Sequence, residues 1–208
     1  LNPSSDESDT VYKFGLSYQL SDDVLLYGLY SEGFRPGGTN RGRGVPFFPR
    51  QYASDLLENY EIGAKMSLLG GKARLNLTYF DMSWDDYQIE VVDPSNRACG
   101  TEAAPEPPAC GQPWQKVVAN VGQASSKGLE AQFDMMVTER LSFGANATWL
   151  DATIDEDVEV SIVVPAGSRL PLSPEFKGAF HADYEWPVDW FGGNSAYVRL
   201  QWSYTGDM

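Results

Sequence analysis

The only histidine of the chain, His181, lies two residues before Asp183 in a stretch of alternating apolar and ionic residues. A hydrolytic site would need a nucleophile within hydrogen-bond reach of such a base, and a third group that orients the base. The sequence offers no such set of residues. We therefore predict that His181 is a polar wall residue and that the chain is not an enzyme.

A glycine-rich segment, 37–44, carries Arg41 and Arg43 and closely follows Arg35. It lacks the Gly-Lys-Ser/Thr ending and the following helix of a phosphate-binding loop, so we do not expect it to bind nucleotides. Guanidinium groups attract and bind anions. Arg35, Arg41 and Arg43 are therefore candidate contacts for an anionic ligand.

Two aromatic residues, Trp84 and Tyr87, lie near the end of a predicted strand and close to a long loop. Rings of this kind are typical of a membrane–water interface, because one edge is apolar and the other forms hydrogen bonds. The same rings can stack on a ligand. Both interpretations stay open, and the second adds Trp84 and Tyr87 to the candidate substrate contacts.

The two cysteines, Cys99 and Cys110, lie in one proline-rich loop. In an oxidising compartment they are predicted to form a disulfide, which would stabilise the fold by roughly 3 kcal/mol in the chain-entropy model. Neither a CxxC spacing nor a nearby histidine indicates a metal or redox site.

The net charge and the distribution of acidic residues limit the classes of function that the chain can have. The net charge of −14 over 208 residues argues against nucleic-acid binding, which needs a basic surface. Acidic residues gather at 6–9 and 155–159, where solvated loops are expected and a calcium site is the alternative. The sequence predicts no cofactor and no resident metal site.

Period-two alternation is the main structural signal. Between Phe176 and Trp186, every second residue is apolar and most of the residues between them are ionic or polar. Such stretches are often nine to eleven residues long, which suits a tilted strand that crosses a bilayer. The pattern predicts an outer-membrane β-barrel with an apolar outside and a polar lumen. It recurs in the segments 12–20, 60–68, 129–137, 141–149 and 198–204.

Eight strands are predicted, at 12–20, 24–34, 59–68, 72–92, 117–137, 141–154, 175–186 and 195–205. Long connections at 36–57, 94–115 and 155–173 alternate with shorter ones, as in bacterial barrels whose short side is periplasmic. The alternation changes at Tyr79–Phe80, which predicts either a bulge or the exit of this strand from the membrane.

The two faces of the last strands follow from the same pattern. Phe180, Tyr184, Leu200 and Trp202 are predicted to face outward. The predicted lumen-facing residues are Arg74, Asn76, Thr78, Glu130, Gln132, Asp134, Asn146, Lys177, His181, Asp183, Arg199 and Gln201.

Several motifs occur in a characteristic order. YGLYSEGFRPGGTN at 27–40 precedes ENYEIGAK at 58–65, LNLTYFDMSW at 75–84 and NVGQASSKGLE at 120–130. This series closely resembles the C-terminal half of the β-barrel domain of TonB-dependent outer-membrane receptors. The resemblance implies an all-β antiparallel segment, roughly strands 12 to 19 of a plugged 22-stranded barrel. It also implies that the plug domain, the TonB box and the closing strands are absent from residues 1–208.

The resemblance further implies a receptor in the bacterial outer membrane for energy-coupled uptake of a scarce nutrient, most often a ferric siderophore or similar iron chelate. Its expected partners are that small-molecule substrate, the TonB complex through the absent N-terminal parts, and outer-membrane lipid. Two alternatives are a soluble carbohydrate-binding β-sandwich and a passive small outer-membrane barrel.

Overall fold

The computed structural model describes residues 8–40, 51–92, 116–159, 163–188, 192 and 194–207. Four of the predicted site residues, Arg41, Arg43, Cys99 and Cys110, lie outside these ranges. No helix in the described part of the chain is long and apolar enough to cross a membrane.

Fourteen strands make up the described structure. They are β1 Lys13–Ser21, β2 Val24–Arg35, β3 Gly38–Thr39, β4 Gln51–Tyr52, β5 Asp55–Leu68, β6 Ala73–Asp85, β7 Gln88–Val92, β8 Lys116–Asn120, β9 Ala124–Thr138, β10 Leu141–Ile154, β11 Val158–Glu159, β12 Val163–Val164, β13 Phe176–Val188 and β14 Asn194–Thr205.

The eight long strands form one antiparallel sheet in the order β1-β2-β5-β6-β9-β10-β13-β14. The short strands pair in twos, β3 with β4, β7 with β8 and β11 with β12. They belong to the first, second and third long connections, which in the structure run between the long strands over 36–54, 86–123 and 155–175. The eight-stranded sheet confirms the predicted antiparallel architecture of about eight strands. It excludes a sandwich, which needs two sheets packed face to face. Because β1 and β14 lie at opposite ends of the order, they do not close a small barrel within the described residues.

The strand register separates an apolar face from a polar face. Phe180 pairs with Trp202, whereas His181 pairs with Gln201 and Asp183 with Arg199. Directly paired residues point to the same side of a sheet, and neighbours along a strand alternate. The predicted segregation of the two faces is therefore confirmed. We call the polar side the inner face and the apolar side the outer face.

Aromatic rings line the outer face near the long connections. Tyr30 and Tyr60 have ring centroids 4.9 Å apart, and Trp149 lies 5.0 Å from Phe176. We call this end of the sheet the loop side, and the end with short hairpins the turn side. Trp149 lies near the loop-side rim, and the row of rings is typical of an interface belt.

Aromatic rings on the inner face occupy the space above glycines of the next strand. A Cβ at Gly63 would overlap the ring of Tyr27, and one at Gly144 would overlap the ring of His181. The Tyr27 hydroxyl reaches across β5 to the Thr78 hydroxyl at 2.8 Å. Close packing therefore requires glycine at Gly63 and Gly144.

The bulge predicted as one explanation of the Tyr79–Phe80 change is wrong. β6 pairs with both neighbours through this point without a register shift. The alternation changes because the inner face itself becomes apolar toward the loop side. There, the alternate residues Phe80, Met82 and Trp84 all lie on the inner face. Phe80 is buried, and its ring lies where a Cβ of Gly128 would be.

The predicted strands 72–92 and 117–137 are also corrected, because each is interrupted. Asp86 and Gly122 have φ values of 55° and 72°, a left-handed conformation that interrupts a strand. Beyond these two residues, β7 and β8 form a separate hairpin ladder that extends the second long connection. This break brings the ladder beside the site described next.

Candidate functional site

Three of the five predicted substrate contacts lie together on the loop side. Arg35 ends β2, Trp84 lies near the end of β6, and Tyr87 follows the break at Asp86. The Arg35 Cζ atom lies 5.2 Å from the centre of the Tyr87 ring, which is a cation–π distance. The Tyr87 and Trp84 rings meet edge to face at 5.7 Å.

Arg35 is held by a buried carboxylate. Asp55 is only 2% exposed, whereas the Arg35 side chain is 50% exposed. Asp55 accepts hydrogen bonds from the Arg35 backbone N–H at 3.2 Å and from the Arg35 Nε at 2.8 and 3.1 Å, and forms an ion pair with an Arg35 terminal nitrogen. Since Asp55 offsets its charge, Arg35 offers a ligand hydrogen-bond donors more than net positive charge.

Gln88 and Asn120 join the first long connection to the second beside this ion pair. The Gln88 backbone N–H donates to Asp55 at 3.1 Å, and the Gln88 side-chain Nε2 donates to the Ala53 carbonyl at 2.9 Å. The Asn120 Oδ1 accepts from the Ala53 N–H at 2.8 Å, while its Nδ2 donates to the Asp86 carbonyl at 2.7 Å. We call Arg35, Asp55, Gln88 and Asn120 the polar clasp.

Asn40 makes a further tie between the first and second long connections. Its Nδ2 donates to the Val118 carbonyl at 2.8 Å, and its Oδ1 accepts from the Val118 N–H at 2.9 Å. This two-bond arrangement imitates the pairing of one more strand against β8. The described bases of these two connections are therefore bonded to each other as well as to the sheet.

An apolar cluster lies beside the polar clasp. We call it the loop-base core; its buried members are Ala119, Val121, Ala124, Ala152, Ile154, Val158 and Leu170. Trp84 and Tyr87 pack against it. Ala124, Ala152 and Ile154 belong to the sheet, whereas the other four come from the second and third connections. The loop-base core thus unites these two connections, and Tyr87 contacts both the core and the polar clasp.

Backbone hydrogen bonds fix the third connection against β10. The Leu170 N–H donates to the Ala152 carbonyl at 2.9 Å, and the Ile154 N–H donates to the Ser168 carbonyl at 2.8 Å. The Asp155 N–H donates to the Gln123 carbonyl at 2.9 Å, which adds a link to the second connection. These bonds satisfy backbone groups that burial in the core would otherwise leave unpaired.

Sequence reasoning missed Asp55, Gln88 and Asn120. The sequence predicts a loop at Asp55, and uninterrupted strands through Gln88 and Asn120. Asp55 and Gln88 are 33 residues apart in the chain, and Asn120 is 67 residues from its partner Ala53, which no local pattern encodes. The clearest available signal was a carboxylate, an amide and an arginine at the ends of neighbouring strands on one rim.

In the described ranges, no group of three or more acidic, histidine or cysteine side chains is placed to hold a metal ion. Asp155 instead accepts hydrogen bonds from the hydroxyls of Ser125 at 2.9 Å and Thr153 at 3.1 Å. His181 contacts Asp183, which Arg199 holds at 2.6 Å, so it is part of a polar wall, as predicted.

The curated relatives include one receptor from two strains of the same species. Over 195 residues the chain is 27% identical to the metal-pseudopaline receptor CntO of Pseudomonas aeruginosa, in strain UCBPP-PA14 and in strain PAO1. The match covers 94% of this chain and 23% of that receptor. The chain therefore spans about a quarter of the length of the curated relatives it matches.

Solved structures share the fold. The ferric yersiniabactin uptake receptor FyuA from Yersinia pestis matches with a TM-score of 0.69 at 18% identity, over 93% of this chain and 25% of that one. The FrpB iron transporter from Neisseria meningitidis matches with a TM-score of 0.61 at 14% identity, over 94% of this chain and 27% of that one.

The family match covers the whole chain. Residues 1–208 match the family described as TonB dependent receptor-like, beta-barrel. Proteins of this family are transport receptors of the bacterial outer membrane, which agrees with the single antiparallel sheet and its long loops on one side. The chain belongs to the family of TonB-dependent receptor β-barrels.

Proposed function

We propose that this chain forms part of a receptor for energy-coupled uptake of a metal chelate, with a ferric siderophore as the leading substrate class. The single observation that carries the proposal is the family match over residues 1–208. The relatives add support, because FyuA is named as a ferric yersiniabactin uptake receptor and CntO as a metal-pseudopaline receptor. In this proposal the apolar outer face contacts lipid, and energy comes from the TonB complex through other parts of the receptor.

The proposed contact region is the inner, loop-side surface formed by Arg35, Trp84 and Tyr87. The exposed part of the Arg35 side chain donates hydrogen bonds to substrate oxygens, and the two rings provide a stacking surface. Arg41 and Arg43 remain proposed contacts that attract an anionic chelate from solution. The proposed Cys99–Cys110 disulfide can be tested by thiol labelling before and after reduction.

Uptake by the full-length receptor tests the function. The host is a bacterium without other siderophore receptors, and the probes are hydroxamate, catecholate and amino-carboxylate chelates loaded with ⁵⁵Fe or ⁶⁵Zn. We expect at least one probe to accumulate, and the accumulation to stop when the proton-motive force is dissipated or TonB is deleted. Accumulation that ignores both treatments would indicate a passive pore. The ⁵⁵Fe and ⁶⁵Zn arms distinguish iron uptake from broader metal uptake.

The contact region has a matched pair of variants. Trp84→Ala removes an inner-face ring, whereas Trp149→Ala removes an outer-face ring at the same rim. We expect Trp84→Ala to raise the apparent Kd for the transported chelate about tenfold, as loss of an aromatic contact often does. Trp149→Ala should leave it nearly unchanged. Equal effects of the two substitutions would remove Trp84 from the proposed site.

A further inference from the structure

We propose that Asp55 is a positioning residue that makes the bases of the three long connections open and close as one unit. The idea rests on the proposed function in one respect: these connections are taken to hold the substrate. The coupling itself follows from contacts of described residues and needs no assumption about the substrate.

Asp55 links the end of β2 to the second long connection, which is the first of three links that couple the connections. Its carboxylate binds the Arg35 side chain on β2 and the Gln88 backbone at the start of β7, although it is itself almost fully buried. Removing the charge leaves the Arg35 guanidinium without its ion-pair partner in a half-buried position, which is unfavourable. Opening at Asp55 should therefore release Gln88, and with Gln88 the contact to Ala53.

Tyr87 provides the second step. Its backbone is bonded to the next segment, because the Tyr87 N–H donates to the Gly122 carbonyl at 2.8 Å and the Val121 N–H donates to the Tyr87 carbonyl at 2.9 Å. Its ring lies under Arg35 and packs on the loop-base core. A displacement of Arg35 and Gln88 therefore disturbs a residue that also supports the buried Val121.

The loop-base core provides the third step. Val121 packs with Ile154, Val158 and Leu170, so the third connection shares one buried cluster with the second. Packed clusters tend to open cooperatively rather than one residue at a time. Coupling between two sites is also reciprocal. A defect in the polar clasp should loosen the third connection, and a defect in the core should loosen the clasp.

Hydrogen–deuterium exchange of the full-length receptor in detergent micelles tests this coupling without a ligand. The reporters are the backbone amides of Ala53 and Gln88 in the clasp region, and those of Ile154 at the end of β10 and Leu170 in the third connection, all of which donate hydrogen bonds. We expect Asp55→Asn to speed exchange about tenfold at both pairs, and Ile154→Ala to do the same at the Ala53 and Gln88 amides. The proposal would be overturned if each substitution changed exchange only at the reporter pair next to it and left the other pair unchanged.

Controls separate coupling from a general folding defect. Asp85→Asn removes an exposed carboxylate at the same rim, which the Gln123 side chain contacts at 3.0 Å, and should leave all four amides unchanged. If Asp55→Asn fails to assemble, Gln88→Ala removes the contact to Ala53 without leaving a lone charge, and the same spread to Leu170 is expected. The exchange rates are measured on the receptor without ligand or transport. A negative exchange result therefore contradicts the coupling alone, and a negative uptake result contradicts the proposed function alone.

Discussion

The turn-side half and the loop-side half of the inner face are packed by different kinds of side chain. On the turn side, the inner face carries polar and charged cross-strand pairs such as Asp183 with Arg199 and Arg74 with Asp134. On the loop side, the same face carries Trp84, Ala124 and Ile154, which the returning connections cover. The composition of one sheet face therefore changes along its strands according to what covers it.

The two halves also differ in how much of their inner face is buried by residues of this chain. On the loop side, residues of the second and third connections bury the sheet residues within this chain, and Ala124 is completely buried. On the turn side, side chains such as those of Arg199 and Glu185 stay largely open within the described residues. Burial of apolar area thus supports the loop side, whereas polar pairing and space-filling rings define the turn side.

The largest expected effect is in the loop-base core. Ile154→Ala removes a side chain that is 3% exposed, and large-to-small changes of this kind cost about 2–5 kcal/mol. The matched control is Val163→Ala in the third connection, where the side chain is 68% exposed. We expect only Ile154→Ala to speed protease cleavage of the third connection in the folded receptor. Equal cleavage of both variants would contradict the role of the core.

The second prediction concerns the two faces of β13 and β14. Phe180→Arg places a charge on the apolar outer face, which near the bilayer midplane costs about 2–4 kcal/mol. Gln201→Arg adds the same charge to the polar inner face, where it should be tolerated. Folding yields in lipid vesicles compare the two variants. A loss for Gln201→Arg as large as that for Phe180→Arg would reverse the assignment of the faces.

The contrast between the halves also explains what the sequence could predict. Period-two patterns such as Phe180 against His181 are local, so strand positions, strand order and both faces were predicted on the turn side. On the loop side, Asp86 and Gly122 break strands that looked continuous, because a single residue with positive φ leaves little trace in the pattern. Trp84 and Tyr87 were recognised as site candidates from their position near the rim. Asp55 was not, because its partners are distant in the chain.

A third, smaller effect concerns ring packing on the inner face. Gly63→Ala would push a methyl group into the ring of Tyr27, and overpacking of this kind costs about 1–3 kcal/mol. Gly70→Ala in the adjacent turn meets no neighbouring atom, but its φ of 66° adds backbone strain, so it is a poor control. The better test is Tyr27→Ala with Gly63→Ala, which should be less than additive because the overlap is gone. Urea midpoints in lipid vesicles measure it, and strict additivity would contradict the overlap.

The smallest expected effect is at the exposed ion pair on the outer loop-side rim. Lys127 and Asp151 approach to 3.7 Å, and both side chains are more than half exposed. Water and salt screen such pairs, so a double-mutant cycle with Lys127→Ala and Asp151→Ala should give a coupling of about 0.2–1 kcal/mol at most. The coupling should fall further in high salt. A larger, salt-insensitive coupling would mean that this rim is covered in the membrane, and the outer loop side would then resemble the buried loop-base core more than an open surface.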